Sequence, residues 1–208
     1  TGTENTAVGR AALEASTTSN ENTAVGYYAL LANTTGAYNT AVGADALKGV
    51  TTGSYNHGFG RDAGQSITTG SGNVCIGNNA NDAGDTSYVV SIGGFSASAN
   101  AVDGTTAVGY FALRNNTTGA GNHAFGYYAL DQVTTGTRNT AVGKDALLAN
   151  TEGNSNVAVG ERCLDNNSTG VQNTAAGAEA LGANTTGSYC TAVGNQALDA
   201  NTTANGNT

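Results

Sequence analysis

The feature that most constrains this chain is a five-residue motif, Asn-Thr-Ala-Val-Gly, which returns at a nearly fixed interval along all 208 residues. Successive motif glycines are 17 residues apart, except for two steps of 16, and stand at Gly9, Gly26, Gly43, Gly60, Gly77, Gly93, Gly109, Gly126, Gly143, Gly160, Gly177 and Gly194. A short fixed period is typical of a solenoid, in which each repeat forms one coil that packs against its neighbours. We therefore predict a single continuous repeat domain over residues 1–208, built from about twelve 17-residue coils.

We number each repeat from its Asn as position 1. Position 3 is always Ala, Gly, Cys or Ser, whereas positions 2 and 4 are rich in Thr, Val and Ile. This two-residue alternation with β-branched side chains predicts a short strand over positions 1–4. The glycine at position 5 predicts a turn that needs a positive φ or a close backbone approach, as at Gly26, Gly43, Gly126, Gly143 and Gly160.

The second half of most repeats begins with Ala-Leu at positions 8 and 9, as in Ala29-Leu30. We predict a second short strand here, with one helical turn as the alternative, because so few residues between glycines cannot support a stable helix. The repeat closes with Asn-Thr-Thr-Gly, as at residues 33–36. Its Asn and Thr side chains are expected to bond nearby backbone, and its Gly to take left-handed dihedrals. The predicted fold is therefore all-β.

Stacking such coils in register places identical residues above one another at the strand spacing of about 4.8 Å. The Asn residues at position 1 are then expected to form a structural amide ladder. One Val and one Leu per coil make a thin core, which predicts burial against another chain. Small Ala residues at positions 3 and 8 suit the inside of the coil, which leaves positions 2 and 4, with position 9 as a further candidate, to contact neighbouring subunits. The reverse assignment is the alternative.

Composition and charge exclude several classes of function. The 31 glycines are phased with apolar pairs, which distinguishes the chain from a flexible linker. A net charge of −8 with only seven Lys and Arg leaves no basic stripe, so neither nucleic-acid binding nor direct membrane insertion is expected. The three cysteines fall in different coils and are predicted to be buried fillers rather than zinc ligands. No cofactor is predicted.

The Asn-Thr-Ala-Val-Gly-x-x-Ala pattern resembles the repeats of the YadA-type heads of trimeric autotransporter adhesins, and is similar to repeats in phage tail fibres. The resemblance spans all twelve copies, although the unit here is longer and carries the Asn-Thr-Thr-Gly turn. It implies a homotrimer of left-handed parallel β-rolls, located extracellularly on a cell surface or a virion. It also implies a non-enzymatic role in adhesion or host-surface recognition, with a cell-surface glycan or protein receptor as partner.

No recurring constellation of acid, base and nucleophile is present, so an enzyme is not expected. The two histidines, His57 and His123, both occupy position 2 and are each followed by a Phe at position 4. If position 2 faced a three-fold axis, each would supply a ring of imidazoles that could bind a metal or an anion; packing is the favoured alternative. Residues 77–104 depart from the pattern, and a redesigned surface turn is favoured there over an oxygen-rich cation site from Asn79, Asn81, Asp82 and Asp85.

An aromatic column is the candidate ligand site. Position 7 varies and is expected to face solvent, yet it carries Phe95, Phe111 and Tyr128 in three consecutive coils, with Tyr110 and Tyr127 beside them at position 6. Rings stacked at strand spacing offer faces on which sugars or other planar groups pack, and packing against a neighbouring subunit is the alternative. Because the pair Tyr27-Tyr28 stands alone in another coil, an aromatic pair by itself can also be ordinary decoration.

Three hypotheses of function follow. The first is an adhesive or receptor-binding fibre segment, and the second is a purely structural spacer or filament protomer. The third, an ice-binding surface of Thr ladders, is least favoured because the Thr pairs lie in glycine-closed turns rather than alternating along one flat strand.

Overall fold

The computed structural model describes residues 2–208 and is all-β. Each repeat contributes one three-residue strand, at positions 2–4, and the chain forms a β-solenoid of about 17 residues per coil. The strands are β1 (Thr6–Val8), β2 (Thr23–Val25), β3 (Thr40–Val42), β4 (His57–Phe59), β5 (Val74–Ile76), β6 (Val90–Ile92), β7 (Thr106–Val108), β8 (His123–Phe125), β9 (Thr140–Val142), β10 (Val157–Val159), β11 (Thr174–Ala176) and β12 (Thr191–Val193). The described residues contain no helix that is long and apolar enough to cross a membrane.

The chain divides into two compact units, Thr1–Gly104 with strands β1–β6 and Thr105–Thr208 with strands β7–β12. Within each unit, consecutive strands pair in parallel and in register. In the first unit Ala24 lies opposite Ala41, and in the second Ala141 lies opposite Ala158. The step shortens to 16 residues between β5 and β6, where Val74 lies opposite Val90. The predicted solenoid and the predicted strand at each motif are therefore confirmed.

In the regular coils the core consists of the small residue at position 3, the Ala or Cys at position 8 and the Leu at position 9, whereas position 9 is Gly64, Asn81 or Ala97 in the coils of β4, β5 and β6. Ala24, Ala29 and Leu30 are fully buried in the first unit, and so are their equivalents in the second. The candidate assignment of position 9 to a subunit contact is therefore wrong, because the Leu side chain is buried within its own coil. Positions 2 and 4 point away from this core, as alternation along a strand requires.

The predicted second strand at positions 8 and 9 is wrong. These residues form a turn in which positions 7 and 9 both have positive φ, for example 57° at Tyr28 and 50° at Leu30. The Leu30 N–H donates to the Ala46 carbonyl of the next coil, at 3.1 Å. The left-handed dihedrals are costly for a residue with a side chain, and burial of the Leu together with this inter-coil hydrogen bond offsets that cost.

The predicted asparagine ladder is confirmed. In the second unit the Asn139 amide donates to Asn122 Oδ1 at 3.1 Å, and the Asn156 amide donates to Asn139 Oδ1 at 3.2 Å. The same oxygens also accept the backbone N–H of the next position 1, at 3.0 and 2.9 Å. Each buried amide oxygen thus takes the place of a backbone acceptor, which explains why Asn returns at this position.

A second, unpredicted asparagine ladder runs along position 12. In the second unit the Asn167 amide donates to Asn150 Oδ1, and the Asn184 amide donates to Asn167 Oδ1, both at 2.9 Å. Each amide also donates to the glycine carbonyl three residues later in its own coil, as from Asn184 to Gly187 at 3.0 Å. The predicted local side-chain bond of the Asn-Thr-Thr-Gly turn is therefore present, and the same Asn residues also connect coils.

The two repeated glycines are required for different reasons. At position 5 φ is positive, with values of 142°, 139°, 148°, 135° and 141° at Gly26, Gly43, Gly126, Gly143 and Gly160. At position 15 the prediction of left-handed dihedrals is wrong, since Gly36 is not among the glycines with positive φ. A Cβ at Gly36 would instead lie 2.6 Å from Asn33 Oδ1 and would collide with the Gly53 carbonyl oxygen of the next coil.

Candidate functional site

Four of the predicted aromatic residues form a contiguous cluster in the second unit, which we call the aromatic cluster: Tyr110, Phe111, Tyr127 and Tyr128. The rings of Tyr110 and Tyr127, one coil apart at position 6, are stacked with centroids 5.8 Å apart and planes at 14°. Phe111 and Tyr128 at position 7 meet edge to face at 5.1 Å. Position 6 is the exposed one and position 7 is half-buried, so the expectation that position 7 faces solvent is wrong for these two residues.

An ion pair supports the aromatic cluster from one side. Arg114 stacks on the Phe111 ring, with its guanidinium carbon 4.2 Å from the ring centroid, and contacts both carboxylate oxygens of Asp131 at 2.9 Å. Burial raises the pKa of Asp131, and the positive charge of Arg114 opposes that rise. The arrangement anchors Phe111 while leaving Tyr110 and Tyr127 as the outer surface, 42% and 47% exposed.

The fifth predicted aromatic residue, Phe95, belongs to the first unit, where it follows strand β6 at position 7 with a φ of 55°. The isolated pair Tyr27-Tyr28 also lies in the first unit, with ring centroids 3.9 Å apart. Cations lie against this pair, Arg10 at 5.5 Å from the Tyr27 ring and Lys48 at 5.1 Å from the Tyr28 ring.

The outward face of the strands is made by positions 2 and 4, and we call it the strand face. No residue of the twelve strands is Asp, Glu, Lys or Arg. Large apolar side chains on it are exposed at Val8, Val42, Phe59 and Ile76 in the first unit and at Phe125, Val142, Val157, Val159 and Val193 in the second. Each unit therefore presents an uncharged face on which an apolar stripe at position 4 repeats from coil to coil beside the mostly Thr side chains of position 2.

The two histidines lie on the strand face, half-buried, in β4 and β8. His57 is flanked by Thr40 and Val74 in the neighbouring strands, and His123 by Thr106 and Thr140. Residues 2–208 contain no group of three or more His, Cys, Asp or Glu side chains that could hold a metal ion. Within the described residues of one chain, neither histidine therefore belongs to such a group.

The irregular turns use their polar side chains internally. Asp85 accepts hydrogen bonds from the backbone N–H groups of Thr68, Thr69 and Gly70 at 2.8–2.9 Å and from both Thr hydroxyls at 2.7–2.8 Å. In regular coils a backbone carbonyl accepts from these N–H groups, as Thr51 O does from Thr34 and Thr35. The Asp85 carboxylate therefore replaces the backbone carbonyl that accepts these hydrogen bonds in regular coils, in a coil that is one residue shorter.

The hydrogen bonds of Asp85 also change its acidity. Although partial burial acts to raise its pKa, the hydrogen bonds from Thr68, Gly70 and Thr69 outweigh that effect and hold the pKa well below its ordinary value. Among the other residues of the cation-site alternative, Asn79 donates to Asp82 at 2.6 Å, and Asn81 is buried and donates to Thr86 at 2.9 Å. These separate partners support the interpretation as a redesigned turn.

All three cysteines are buried and free, as predicted. Burial raises the pKa of Cys75 to about 12 and that of Cys163 to about 11, so both thiols stay protonated and unreactive near neutral pH.

Sequence reasoning missed an exposed column of tyrosines in the first unit, which we call the tyrosine column: Tyr38, Tyr55 and Tyr88, with Gly72 between the last two. Each residue immediately precedes position 1 of the next repeat and has a positive φ. The rings of Tyr38 and Tyr55 are stacked with centroids 4.8 Å apart and planes at 6°. The recurrence of Tyr before position 1 was the signal in the sequence that could have revealed it.

Comparison of the chain with protein-family models, with curated protein sequences and with solved structures gave no match.

Proposed function

We propose that this chain is a segment of an extracellular, non-enzymatic fibre, on a cell surface or a virion, that acts in adhesion or host-surface recognition. In this proposal it assembles as a homotrimer of left-handed parallel β-rolls, as the resemblance of its repeats to YadA-type heads and phage tail-fibre repeats implies. The observation that carries the proposal is the strand face, an uncharged apolar stripe left exposed on the single chain.

A second copy of the same chain is the partner that fits this stripe best. A contiguous exposed apolar surface usually marks an interaction site. Its side chains repeat once per coil, at about 4.8 Å, and another copy of this solenoid carries apolar side chains at the same spacing. Packing of copies along this face would bury the large side chains at position 4, such as Phe59 and Val142, and would add the core that each thin coil lacks.

Light scattering measures the assembly directly, and we expect three times the 20.5 kDa mass of the chain. Val142→Asp, which places a charge on the strand face, should dissociate the assembly. Thr135→Asp, at an exposed turn position away from the strand face, should leave it intact. A folded monomer with a sharp unfolding transition at low concentration would contradict the proposal, and equal effects of the two variants would contradict the assignment of the interface.

Recognition is assigned to the aromatic cluster, whose exposed Tyr rings offer flat apolar surfaces with hydroxyl groups at their edges. The double variant Phe111→Ala, Tyr128→Ala should weaken binding to target cells or glycans while the trimer stays intact. Loss of the trimer would instead assign the aromatic cluster to the subunit interface, and unchanged binding would remove it from the recognition surface.

The second candidate is a purely structural spacer or filament protomer, and the two asparagine ladders favour it. They connect coil to coil through buried hydrogen bonds and are suited to a stiff stack of coils within a unit. A chain that forms the trimer but binds no cell or glycan would support this candidate. Ice binding is less favoured, because position-13 hydroxyls such as that of Thr34 already donate to a carbonyl of the next coil, at 3.1 Å. Absence of thermal hysteresis would exclude it.

A further inference from the structure

The tyrosine column contains one pair of rings that lie face to face. Tyr38 and Tyr55 occupy the same position in consecutive repeats, directly before position 1, and their ring centroids are 4.8 Å apart with planes at 6°. The backbone fixes this alignment, because each N–H donates to a carbonyl of the preceding coil, at 3.2 Å for Tyr38 and 3.1 Å for Tyr55. The repeat therefore holds two phenol rings within stacking distance in the folded chain.

Both rings are open to reagents in solution and have room to move. Tyr38 is 42% exposed and Tyr55 is 57% exposed. Exposed side chains exchange rotamers on the picosecond to nanosecond timescale, so the two rings can approach each other more closely than their resting separation. A carbon–carbon single bond of about 1.5 Å between the rings therefore requires a movement of side chains and leaves the backbone in register.

A carboxylate lies next to the first phenol of the pair. Glu21 stands at the same repeat position as Tyr38, one coil earlier, and a hydrogen bond between this carboxylate and the phenol raises the pKa of Tyr38. The phenol donates this bond, since an ionised carboxylate can only accept. A phenol that loses an electron also releases its hydroxyl proton, and Glu21 is placed to accept that proton as a general base.

The other tyrosine pairs are arranged differently. In Tyr27–Tyr28 and Tyr127–Tyr128, a hydrogen bond between the two phenols raises the pKa of Tyr27 in the first pair and of Tyr128 in the second. Tyr110 and Tyr127 stack at a larger centroid separation, 5.8 Å. Close face-to-face contact and a carboxylate that accepts the phenol proton therefore coincide in the tyrosine column.

We propose that Tyr38 and Tyr55 form a site of oxidative cross-linking, at which hydrogen peroxide and a haem peroxidase join the two rings as dityrosine. Each phenol gives up one electron and its hydroxyl proton and becomes a phenoxyl radical, and the proton of Tyr38 passes to Glu21. The two radicals couple through ring carbons ortho to the oxygens. The hydrogens on those carbons then move to the oxygens and restore both phenols. One hydrogen peroxide takes up the two electrons and two protons and leaves as two water molecules.

The cross-link ties two neighbouring coils together covalently. It closes a loop over residues 38–55, and a bond of this kind stabilises a fold mainly by restricting the unfolded chain. The cross-linked protein should therefore unfold at a higher denaturant concentration than the untreated protein. This inference adds a modification site on a surface separate from the aromatic cluster, and it does not depend on the proposed function.

The test treats the full chain, at low protein concentration, with a haem peroxidase and hydrogen peroxide. We expect the single chain to lose the mass of two hydrogen atoms and to gain dityrosine fluorescence. Proteolysis should then yield one linked pair of peptides that contain Tyr38 and Tyr55. Tyr55→Phe should abolish this product, because a phenylalanine ring forms no phenoxyl radical. Tyr189→Phe is the matched control and should keep it, since Tyr189 has the same repeat position in the second unit and is 61% exposed.

Glu21→Gln tests the proton acceptor separately. The amide keeps the size of the side chain but is not a base, so the rate of cross-linking at neutral pH should fall about tenfold. Glu4→Gln, one coil further along the same column, removes the same charge and should keep the rate. Circular dichroism establishes that each variant is folded before the comparison.

Several results would overturn the inference. These are the absence of dityrosine, dityrosine that maps to other tyrosines, cross-links formed only between separate chains, and an undiminished yield in Tyr55→Phe. An equal rate in Glu21→Gln and the unsubstituted protein would overturn the role given to Glu21 as proton acceptor.

Discussion

Replacing one asparagine of the position-1 ladder should destabilise the chain far more than a comparable change on its surface. Asn139 is fully buried, and its amide donates to Asn122 Oδ1 at 3.1 Å and to the Gly153 carbonyl at 2.8 Å. Its own oxygen accepts the backbone N–H and the amide of Asn156, at 2.9 and 3.2 Å. Asn139→Ala removes all four hydrogen bonds in one step.

The magnitude follows from which partners are left without a bond. The Gly153 carbonyl keeps a bond from Asn150 at 3.1 Å, and the Asn156 amide keeps one to Gly170 at 2.8 Å. The Asn156 backbone N–H loses its acceptor inside the coil, and an unsatisfied buried group costs about 1–3 kcal/mol. With the smaller losses at the other partners, we expect Asn139→Ala to lower the free energy of unfolding by about 2–4 kcal/mol.

Denaturant unfolding followed by circular dichroism at one fixed protein concentration measures this difference. Asn195→Ala is the matched control, because Asn195 is exposed and should change stability by less than about 0.5 kcal/mol. Asn139→Asp adds a pH test: it keeps the acceptor but turns a carboxyl towards two oxygens, so its pKa in the folded state is raised. Its stability should then fall as the pH rises from acid to neutral, whereas that of Asn139→Ala should not. A loss for Asn139→Ala no larger than for Asn195→Ala would refute the reasoning.

Three further outcomes are expected. Gly143→Val should lower the free energy of unfolding by several kcal/mol, because φ is 135° and a Cβ would lie 2.5 Å from the Gly160 carbonyl oxygen. Lys144→Ala, at the exposed neighbouring position, should be nearly silent in the same assay. Equal losses in the two variants would contradict the assignment of the turn to Gly143. The hydrogen bonds of Asp85 contribute stability that is present above the unfolded-state pKa of about 4 and is lost as the pH falls below that value. When the free energy of unfolding is measured as a function of pH, Asp85→Asn should lose less stability in acid than the unsubstituted protein. Elemental analysis of the assembled protein should find no stoichiometric metal, because the half-buried His57 serves packing; one metal per three chains would contradict that assignment.

The regular features of the fold could be predicted because the residues that form them recur in most repeats. The period, the strand at each motif and the asparagine ladder all follow from residues that return every 16 or 17 positions, so stacking like on like was enough to place them. Four of the five predicted aromatic residues also form one cluster, since Tyr110 and Tyr127 share a position in consecutive coils.

The features that could not be predicted depend on backbone dihedrals that residue propensities disfavour. Leu30 and Tyr28 have positive φ, which a side chain normally opposes, so an Ala-Leu segment was assigned to a strand when it forms a turn. At Gly36 a left-handed dihedral was predicted but is absent. Glycine is needed there because the backbone of the next coil approaches too closely for a Cβ.

The sequence by itself therefore determined the solenoid, its period, and which small and amide side chains fill each coil, because these depend on residues repeated at a fixed local spacing. Only the tertiary structure decided what lies between neighbouring coils. The acceptor that Asp85 supplies to Thr68 and the second ladder through Asn167 both involve partners about one coil away. Such contacts exist only once the turns have set the direction of each side chain relative to the coil above it.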